Sequence, residues 1–330
     1  MDLTQVLLLC GGGSSEHEVS LVSAQFLKQQ LQSIDGVTVH FVEMKKEGWV
    51  DQDGQACRLD MDGQLRGQQG ETKIDYVVPC VHGFPGETGD LQSFLELVGV
   101  PYLGCGAEAS LNCFNKITTK LWFDAVGIPN TPYCFLSQNT PEAHTRGQQA
   151  LTQWGKVFVK AASQGSSVGC FSADNPADLD RVIDEAFTYS DQVLIEKALK
   201  PRELEVAAYQ YRGELVLTAP GEVFCPDDQF YTYEEKYSAG SHSSTTLTAD
   251  ITDTQTADIA KYSKLAFEQL KLKDLSRIDF FLDQDGEIYL NEINTFPGMT
   301  PISMFPKLLE HHGENMIDFL ADRIQNARKH

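Results

Sequence analysis

No stretch of the chain approaches the ~20 consecutive apolar residues that would cross a bilayer. The apolar run at residues 6–10 is too short for a signal peptide and lacks its basic flank, so it reads as a buried strand. Positive charge is scarce. Against 47 Asp and Glu there are only 26 Lys and Arg, a net charge of −21, which argues against nucleic acid or an anionic membrane as a partner. A polyphosphate ligand survives this exclusion, because a few local cations and backbone N–H groups suffice to hold one. The cysteines (Cys10, Cys57, Cys80, Cys105, Cys113, Cys134, Cys170 and Cys225) show no Cys-x-x-Cys pairing and mostly sit in apolar surroundings. They read as small buried residues of a reducing cytoplasm, neither a disulfide framework nor a zinc site. There is no Gly-x-Gly-x-x-Gly and no Gly-Lys-Ser/Thr, so neither dinucleotide nor P-loop binding is indicated. Internal repeats and low-complexity tracts are lacking too.

What is present fits an α/β enzyme. The length of 330 residues gives two or three domains, and 42% hydrophobic residues supply their cores. A strand at 5–10 runs into Gly11-Gly12-Gly13 and then a helix, with Ser15 and Glu18 at capping-box spacing. That is the opening unit of a parallel sheet. Glu16 in this first turn either favours the helix dipole or grips an ammonium group. A strand at 37–42 precedes a polar stretch, 47–72, that reads as loops and an edge hairpin. Strand 75–80 opens through His82-Gly83-Phe84-Pro85-Gly86-Glu87-Thr88-Gly89 into a helix at 91–98, and ligand sites lie at such carboxyl ends of strands. Next comes one helix from 107 through Lys116 to 123, a strand at 156–160 and the small-residue loop 161–169, suited to closing over phosphates. A helix starts at Pro176 with Asn175 as N-cap. Strands at 193–197, 203–209 and 214–217 follow. The irregular stretch 220–250 is too long for a connector and reads as a lid. A helix at 256–270 then leads to a hairpin and a C-terminal helix.

The hairpin organises the rest. Asp285-Gly286 is a two-residue turn signal between alternating apolar runs, which sets Asp279 opposite Glu292 with Arg277 and Asn294 on the same face. A slip of one residue would put the carboxylates on opposite faces. Two bare carboxylates about 4 Å apart repel by roughly 4 kcal/mol at an effective dielectric near 20, so the pair needs a cation. Either a hard ion such as Mg2+ takes the Asp, Glu and Asn oxygens, or Arg277 neutralises Glu292 across the strands. Spaced lysines (Lys116, Lys160, Lys197) and the Gly-Ser loop complete what a nucleotide triphosphate with magnesium requires. Lys160 and Lys197 each end an apolar strand, where a stray charge is costly.

These stretches resemble the D-alanine–D-alanine ligases of the ATP-grasp superfamily. The matches are Gly11-Gly12-x-Ser14-x-Glu16-x-Glu18-Val19-Ser20, His82-Gly83-x-x-Gly86-Glu87, Gly165-Ser166-Ser167-Val168-Gly169, Glu196-Lys197, Tyr231-x-Tyr233-x-x-Lys236-Tyr237, Arg277-Ile278-Asp279 and Asn291-Glu292-Ile293-Asn294-Thr295-x-Pro297-Gly298-Met299-Thr300. They occur in family order over nearly the whole chain.

The resemblance implies an ATP-grasp fold of three α/β domains, 1–104, 105–198 and 199–330, with the lid at about 220–250 in the last. It implies a cytoplasmic homodimer that uses ATP and two Mg2+ ions (Mn2+ possible) to join two D-alanine molecules through an acyl phosphate, for peptidoglycan synthesis. By the same likeness Glu16 binds the first substrate's ammonium in a set with Ser166 and Tyr237, and His82 lies near that substrate. Lys116, Lys160 and Lys236 contact phosphates, while Ser167, Glu196, Lys197, Leu199, Glu203 and Phe230 complete the nucleotide site. Asp279, Glu292 and Asn294 bind the metal ions. Arg277 and the Gly298 N–H stabilise the oxyanion, and Ser303 joins Lys236 on the second substrate's carboxylate.

Three positions depart from the family pattern: Thr88 replaces an Asp, Ala161 replaces a common proline, and the expected Pro-Ala after Lys236-Tyr237 is missing. Competing readings are a ligase taking D-serine or D-lactate second, an ATP-grasp ligase for another acid, and a non-catalytic nucleotide-binding regulator. Tyr237 favours the dipeptide, Glu16 with Ser14 and Ser20 argues against another acid, and the intact Asp279, Glu292 and Asn294 argue against the regulator.

Overall fold

The run Val6, Leu7, Leu8, Leu9, Cys10 is apolar at every position because both faces of its strand are covered. A computed structural model describes residues 3–68, 70–224 and 244–327. In it β1 (Thr4–Gly11) leads through glycines into α1 (His17–Gln32) and β2 (Val37–Lys45). Four short strands come next: β3 (Gly48–Asp51), β4 (Ala56–Leu59), β5 (Gln64–Gly67) and β6 (Gly70–Lys73). They precede β7 (Tyr76–Cys80) and α2 (Asp90–Val98). The sheet runs β6-β5-β4-β3-β2-β1-β7, with β1 parallel to both neighbours. The polar stretch expected as loops and one edge hairpin is therefore an antiparallel extension of four strands. Leu59 and Leu65 give that extension an inward side.

The second layer begins with α3 (Ala107–Phe114) and α4 (Lys116–Val126). One continuous helix was the expectation here, and Asn115 breaks it. Its backbone is extended and its side-chain oxygen accepts from the N–H groups of Ile117 and Thr118, both at 3.0 Å, which makes it the N-cap of a new helix. The break places Lys116 at the first turn, where its N–H donates to the Ala162 carbonyl at 2.9 Å. Then come β8 (Tyr133–Leu136), α5 (Pro141–Trp154), β9 (Val157–Ala161), β10 (Cys170–Ala173), α6 (Pro176–Ala186) and β11 (Val193–Lys197). Asn175 caps α6 as expected, accepting from the Asp178 N–H. The antiparallel order β10-β9-β11-β8 carries its own core, with Val157, Val159 and Ile195 against Leu179 and Ile183 of α6.

The third layer holds β12 (Arg202–Tyr211), β13 (Glu214–Leu217), β14 (Gly221–Phe224) and β15 (Ser244–Thr246). It continues with α7 (Asp253–Gln269), β16 (Leu275–Leu282), β17 (Ile288–Asn294), α8 (Met304–His312) and α9 (Met316–Ala327). The strands run β15-β14-β12-β16-β17, with β13 also beside β12. The two ends of the stretch expected to be irregular are thus strands, β14 pairing β15 with Glu222 opposite Thr246. Residues 225–243, and with them the lid assignment, lie outside the described residues. This third layer shares one continuous core with β1 and β7: Val6, Leu8 and Val78 pack with Phe296, Phe305 and Phe319.

The hairpin pairs Asp279 with Glu292 and Arg277 with Asn294, as the alternation requires, yet its turn differs from the expected one. Asp283 and Glu287 close a three-residue loop, Asp283 N–H to the Glu287 carbonyl at 3.0 Å. The Asp283 carboxylate fixes this choice by accepting from the N–H groups of Asp285 and Glu287, both at 2.9 Å. Gly286 at φ 88° fills the left-handed third position. Such a turn shifts the register by one, to Phe280 opposite Leu290, and would have opposed Asp279 to Asn291. A bulge between Asp279 and Phe280 absorbs the extra residue and returns Glu292 to its place.

A methyl group at Gly286 would meet only Gln255 Nε2, at 3.6 Å, so its cost is conformational. Gly286→Ala should lower stability by about 1 kcal/mol, read as a shift in the denaturant midpoint. An unchanged midpoint would mean that the turn does not need its left-handed residue.

Candidate active site

Two strand ends meet at the first part of the site. Ser20 Oγ ties them, donating to the Cys80 carbonyl at 2.5 Å and accepting from the Gly11 N–H at 2.7 Å. The capping box read from Ser15 and Glu18 does not form. α1 has Glu16 at its N-cap with no side-chain capping bond, because the Glu16 carboxylate is turned away from the helix. Its Oε1 accepts from Ser166 Oγ at 2.5 Å, and the residue is 7% exposed. Ser14 Oγ instead accepts from the Glu16 N–H and donates to the His82 carbonyl, both at 3.3 Å. The surrounding backbone comes very close: a Cβ on Gly83 would fall 2.6 Å from Glu16 Oε2.

His82 is buried. Burial is the largest influence on it and lowers its pKa to about 4, so the ring is neutral at physiological pH. Its Nε2 lies 2.9 Å from Ser23 Oγ, which accepts from the Met299 N–H at 3.2 Å. Glu87, half-buried, accepts from the Gly83 N–H at 2.7 Å. Burial first, and the neighbouring Glu16 charge second, push Glu87 up to about 8. Thr88, where the family has Asp, donates to Asp90 at the start of α2.

The second part is the hairpin. Arg277 grips Asp279 with two hydrogen bonds, Nε to Oδ1 at 2.8 Å and Nη2 to Oδ2 at 2.7 Å. Its Nε also lies 3.1 Å from Glu205 Oε2 on β12. The sequence left two arrangements open, and these close ion pairs of Arg277 are with its own strand's Asp279 and with Glu205 of the next strand, not with Glu292 across the hairpin. Asn294 Nδ2 donates to Asp279 Oδ2 at 2.9 Å, and Lys116 Nζ lies 4.0 Å from Glu292. Glu205, Asp279 and Glu292 stand side by side across three strands.

Among the described residues no group of three or more His, Cys, Asp and Glu side chains is arranged to hold a metal ion. A cation here would rest on two carboxylates, the Asn294 amide oxygen and oxygens brought by its ligand. That donor set suits Mg2+, which binds through one or two carboxylates plus substrate phosphates.

The third part comes from the second sheet. Ser166 and Ser167 sit at φ 49° and 62°, a left-handed conformation that non-glycine residues adopt at some cost. Lys116 Nζ donates to the Gln164 carbonyl at 2.6 Å. Ala161 N–H donates to the Gly169 carbonyl at 2.8 Å, a bond that the family's usual proline could not make. Lys160 reaches Glu196 Oε2 at 2.5 Å, while Glu196 Oε1 takes Lys120 Nζ at 2.6 Å. Burial alone would raise the Glu196 pKa, but the two ammonium groups outweigh it and hold it at about 2. Lys160 is largely buried, as its strand position suggested. Lys197 is exposed, so the same argument fails for it: the strand has ended and the side chain reaches water.

A chamber of about 60 Å3 joins these parts, lined among others by Glu16, His82, Ser166, Arg277, Glu292 and Gly298. It adjoins a cleft of about 870 Å3 that shares Glu16, Gln164 and Gly165 with it. Lys160, Glu196, Lys197, Leu199 and Glu203 do not line the chamber, nor does Ser303, which accepts from the Thr300 N–H at 3.1 Å ahead of α8. Phe230, Lys236 and Tyr237 lie outside the described residues. Sequence reasoning gave no role to Glu87, Glu205 or Lys120. Glu205 carried a signal, since period two puts it on one face with Glu203, and Lys120 stands four residues from Lys116 on the same helix.

Two family models match: the D-ala D-ala ligase N-terminus over residues 5–105 and the D-ala D-ala ligase C-terminus over residues 122–325. The D-alanine–D-alanine ligase of Aeromonas hydrophila is 62% identical over 323 residues, 98% of each chain. That of Vibrio atlanticus is 59% identical over 329 residues, 99% of each. The crystal structure of D-alanyl-alanine synthetase A from Vibrio cholerae superposes with a TM-score of 0.96 at 56% identity, covering 100% of both chains.

The Glu87 pKa makes a pH prediction. A carboxyl raised from 4.5 to about 8 in the folded state keeps a proton that the unfolded chain releases. Its contribution is therefore complete below 4.5 and is lost as the pH rises to about 8. Glu87→Gln should gain stability relative to the parent chain across that window, seen as a melting-temperature difference that grows with pH. A constant difference would rule out the raised pKa.

Proposed function

The chain belongs to the D-alanine–D-alanine ligase family, and from that premise we propose how its residues divide the reaction among them. The enzyme is an ATP-grasp ligase that uses ATP, with a divalent metal, to join D-alanine to D-alanine for peptidoglycan synthesis. Each substrate is a small zwitterion, so fixed charges of opposite sign at two ends of one chamber can sort its ends. Glu16, held by Ser166, takes the first ammonium. Neutral His82 stands beside it and adds no competing positive charge.

The substrate carboxylate then points toward Arg277 and the hairpin. Lys116 and Lys160 contact the nucleotide phosphates, and the strained 163–169 loop, with Ser167, covers them. Glu203, Lys197 and Leu199 border the adenine and ribose; Glu196, expected beside them, is enclosed between Lys120 and Lys160. Magnesium, as two ions with manganese an alternative, would sit on Asp279, Glu292 and Asn294 and neutralise phosphate charge during transfer to the carboxylate. Arg277 and the Gly298 N–H receive the negative charge that develops when the second amine attacks the acyl phosphate. Ser303 orients the second carboxylate. Little acid–base chemistry is asked of the protein, so positioning and charge stabilisation dominate.

The observation that carries this reading is the shared chamber, with a buried anion at one end and the arginine–carboxylate hairpin at the other. Phosphate release from ATP with D-alanine, D-serine and D-lactate supplied in turn tests it. D-Alanine alone should sustain release and yield the dipeptide, and dependence on D-lactate instead would overturn the choice of second substrate.

The metal assignment has a separate test. Glu292→Gln should abolish ATP turnover while leaving the melting temperature close to that of the parent, and a chelator should stop the parent enzyme reversibly. Retained turnover in either experiment would remove the metal from the hairpin.

A further inference from the structure

Lys120 is charged, 2% exposed and absent from every role assigned above. It stands on α4 four residues after Lys116, its Nζ 5.1 Å from the centre of the Tyr133 ring. Its ammonium donates to Asn130 Oδ1 and to the Thr131 carbonyl, both at 3.1 Å, and forms an ion pair with Glu196 Oε1 at 2.6 Å. So paired and so buried, Lys120 does not itself reach a nucleotide. Glu196 is equally enclosed, at 2% exposure, and its other oxygen is spent on Lys160. Lys160 is the member of the three nearest solvent, at 12% side-chain exposure.

A buried 1:1 pair of Glu196 and Lys160 would be electrically neutral and would offer little to an anion. The third member changes the sum: two lysines against one glutamate leave one positive charge, and the exposed end of the row is where it is felt. Burying three charges needs such mutual pairing, because each alone would be strongly disfavoured in a poorly solvated interior.

We infer that Lys120 is a positioning residue for the nucleotide: by occupying half of the Glu196 carboxylate it keeps Lys160 oriented and positively charged toward the phosphates. The inference rests on the reading of Lys160 as a phosphate contact. It goes further in assigning Glu196 to the charge of its neighbour and in giving Lys120 a part in ATP affinity without contact.

Titration calorimetry with ATP and with adenosine, the same base and sugar without phosphates, tests it. Lys120→Met should weaken ATP about tenfold, about 1.4 kcal/mol, and leave adenosine within about twofold of the parent. In steady state KM for ATP should rise and KM for D-alanine should stay constant. The double variant Lys120→Met, Glu196→Gln restores the single net positive charge and should recover most of the ATP affinity. If Lys120→Met does not fold, Lys120→Gln takes its place, keeping a hydrogen-bond donor for Glu196 but not the charge. An unchanged ATP affinity, an equal loss for adenosine, or no recovery in the double variant would each overturn the inference and leave Lys120 a purely structural ion pair. Equal affinity of the parent enzyme for ATP and adenosine would be a different failure: it would remove Lys160 from the phosphates, and the inference with it.

Discussion

The structure depends on a row of like charges. Glu205, Asp279 and Glu292 lie abreast on three neighbouring strands, and the sheet spacing alone puts them within repelling distance. At about 4 Å and an effective dielectric near 20, each adjacent pair costs roughly 4 kcal/mol if left bare. The surrounding side chains answer that cost. Arg277 sits over Asp279 and Glu205, Asn294 donates to Asp279, and Lys116 stands off Glu292. Glu205 gives the guanidinium a second carboxylate. Were Asp279 to turn toward another cation, Arg277 would keep a partner in a place where an unpaired charge would be costly.

The row can be exact in position because of where the cores lie. β1 and β7 share a continuous core with α8, α9 and the segment after β17, so Glu16 and the hairpin belong to one packed unit. The second sheet has a separate core and reaches the site through its loop, Ser166 to Glu16 and the Gln164 carbonyl to Lys116. Lys116 itself stands on α4, whose Phe123 packs into the core of the third sheet, and faces Glu292. Ser166, whose hydroxyl makes the contact with Glu16, and Ser167 both hold left-handed backbone there.

Much of this was legible in the chain. The hairpin pairing, the strand-glycine-helix openings and the α6 cap each follow from a local rule in which a single preference decides the outcome. Where reading failed, two preferences competed. The Asp285-Gly286 signal lost to Asp283, whose carboxylate caps a longer loop, and the pairing survived only because a bulge cancelled the shift. That bulge had a trace in the sequence: Ile288, Leu290 and Ile293 step by two and then by three, leaving Asn291 and Glu292 both outside the core. The Ser15–Glu18 capping box lost to a tertiary bond, since Glu16 serves Ser166 and not its own helix. Glu205, Lys120 and Glu87 were harder, because their importance lies in neighbours more than 40 residues away.

A chain of net charge −21 that binds a polyanion must do so by local arrangement. Isolated surface lysines would be a poor solution, since solvent screens them and their side chains wander. Here the cations are partly buried and each is tied to a carboxylate, which fixes its direction but threatens to cancel its charge. The arithmetic escapes cancellation by counting: Glu196 faces two lysines, so the pairing that orders Lys160 does not neutralise it. Around the hairpin the count runs the other way: Arg277 faces two carboxylates, Asp279 and Glu205, while Lys116 lies 4.0 Å from Glu292. On the proposed placement of the phosphates by Lys160 and of the metal on the hairpin, a cationic cluster behind the one and carboxylates beneath the other would be the division that a metal–nucleotide complex demands, set locally whatever the net charge of the chain.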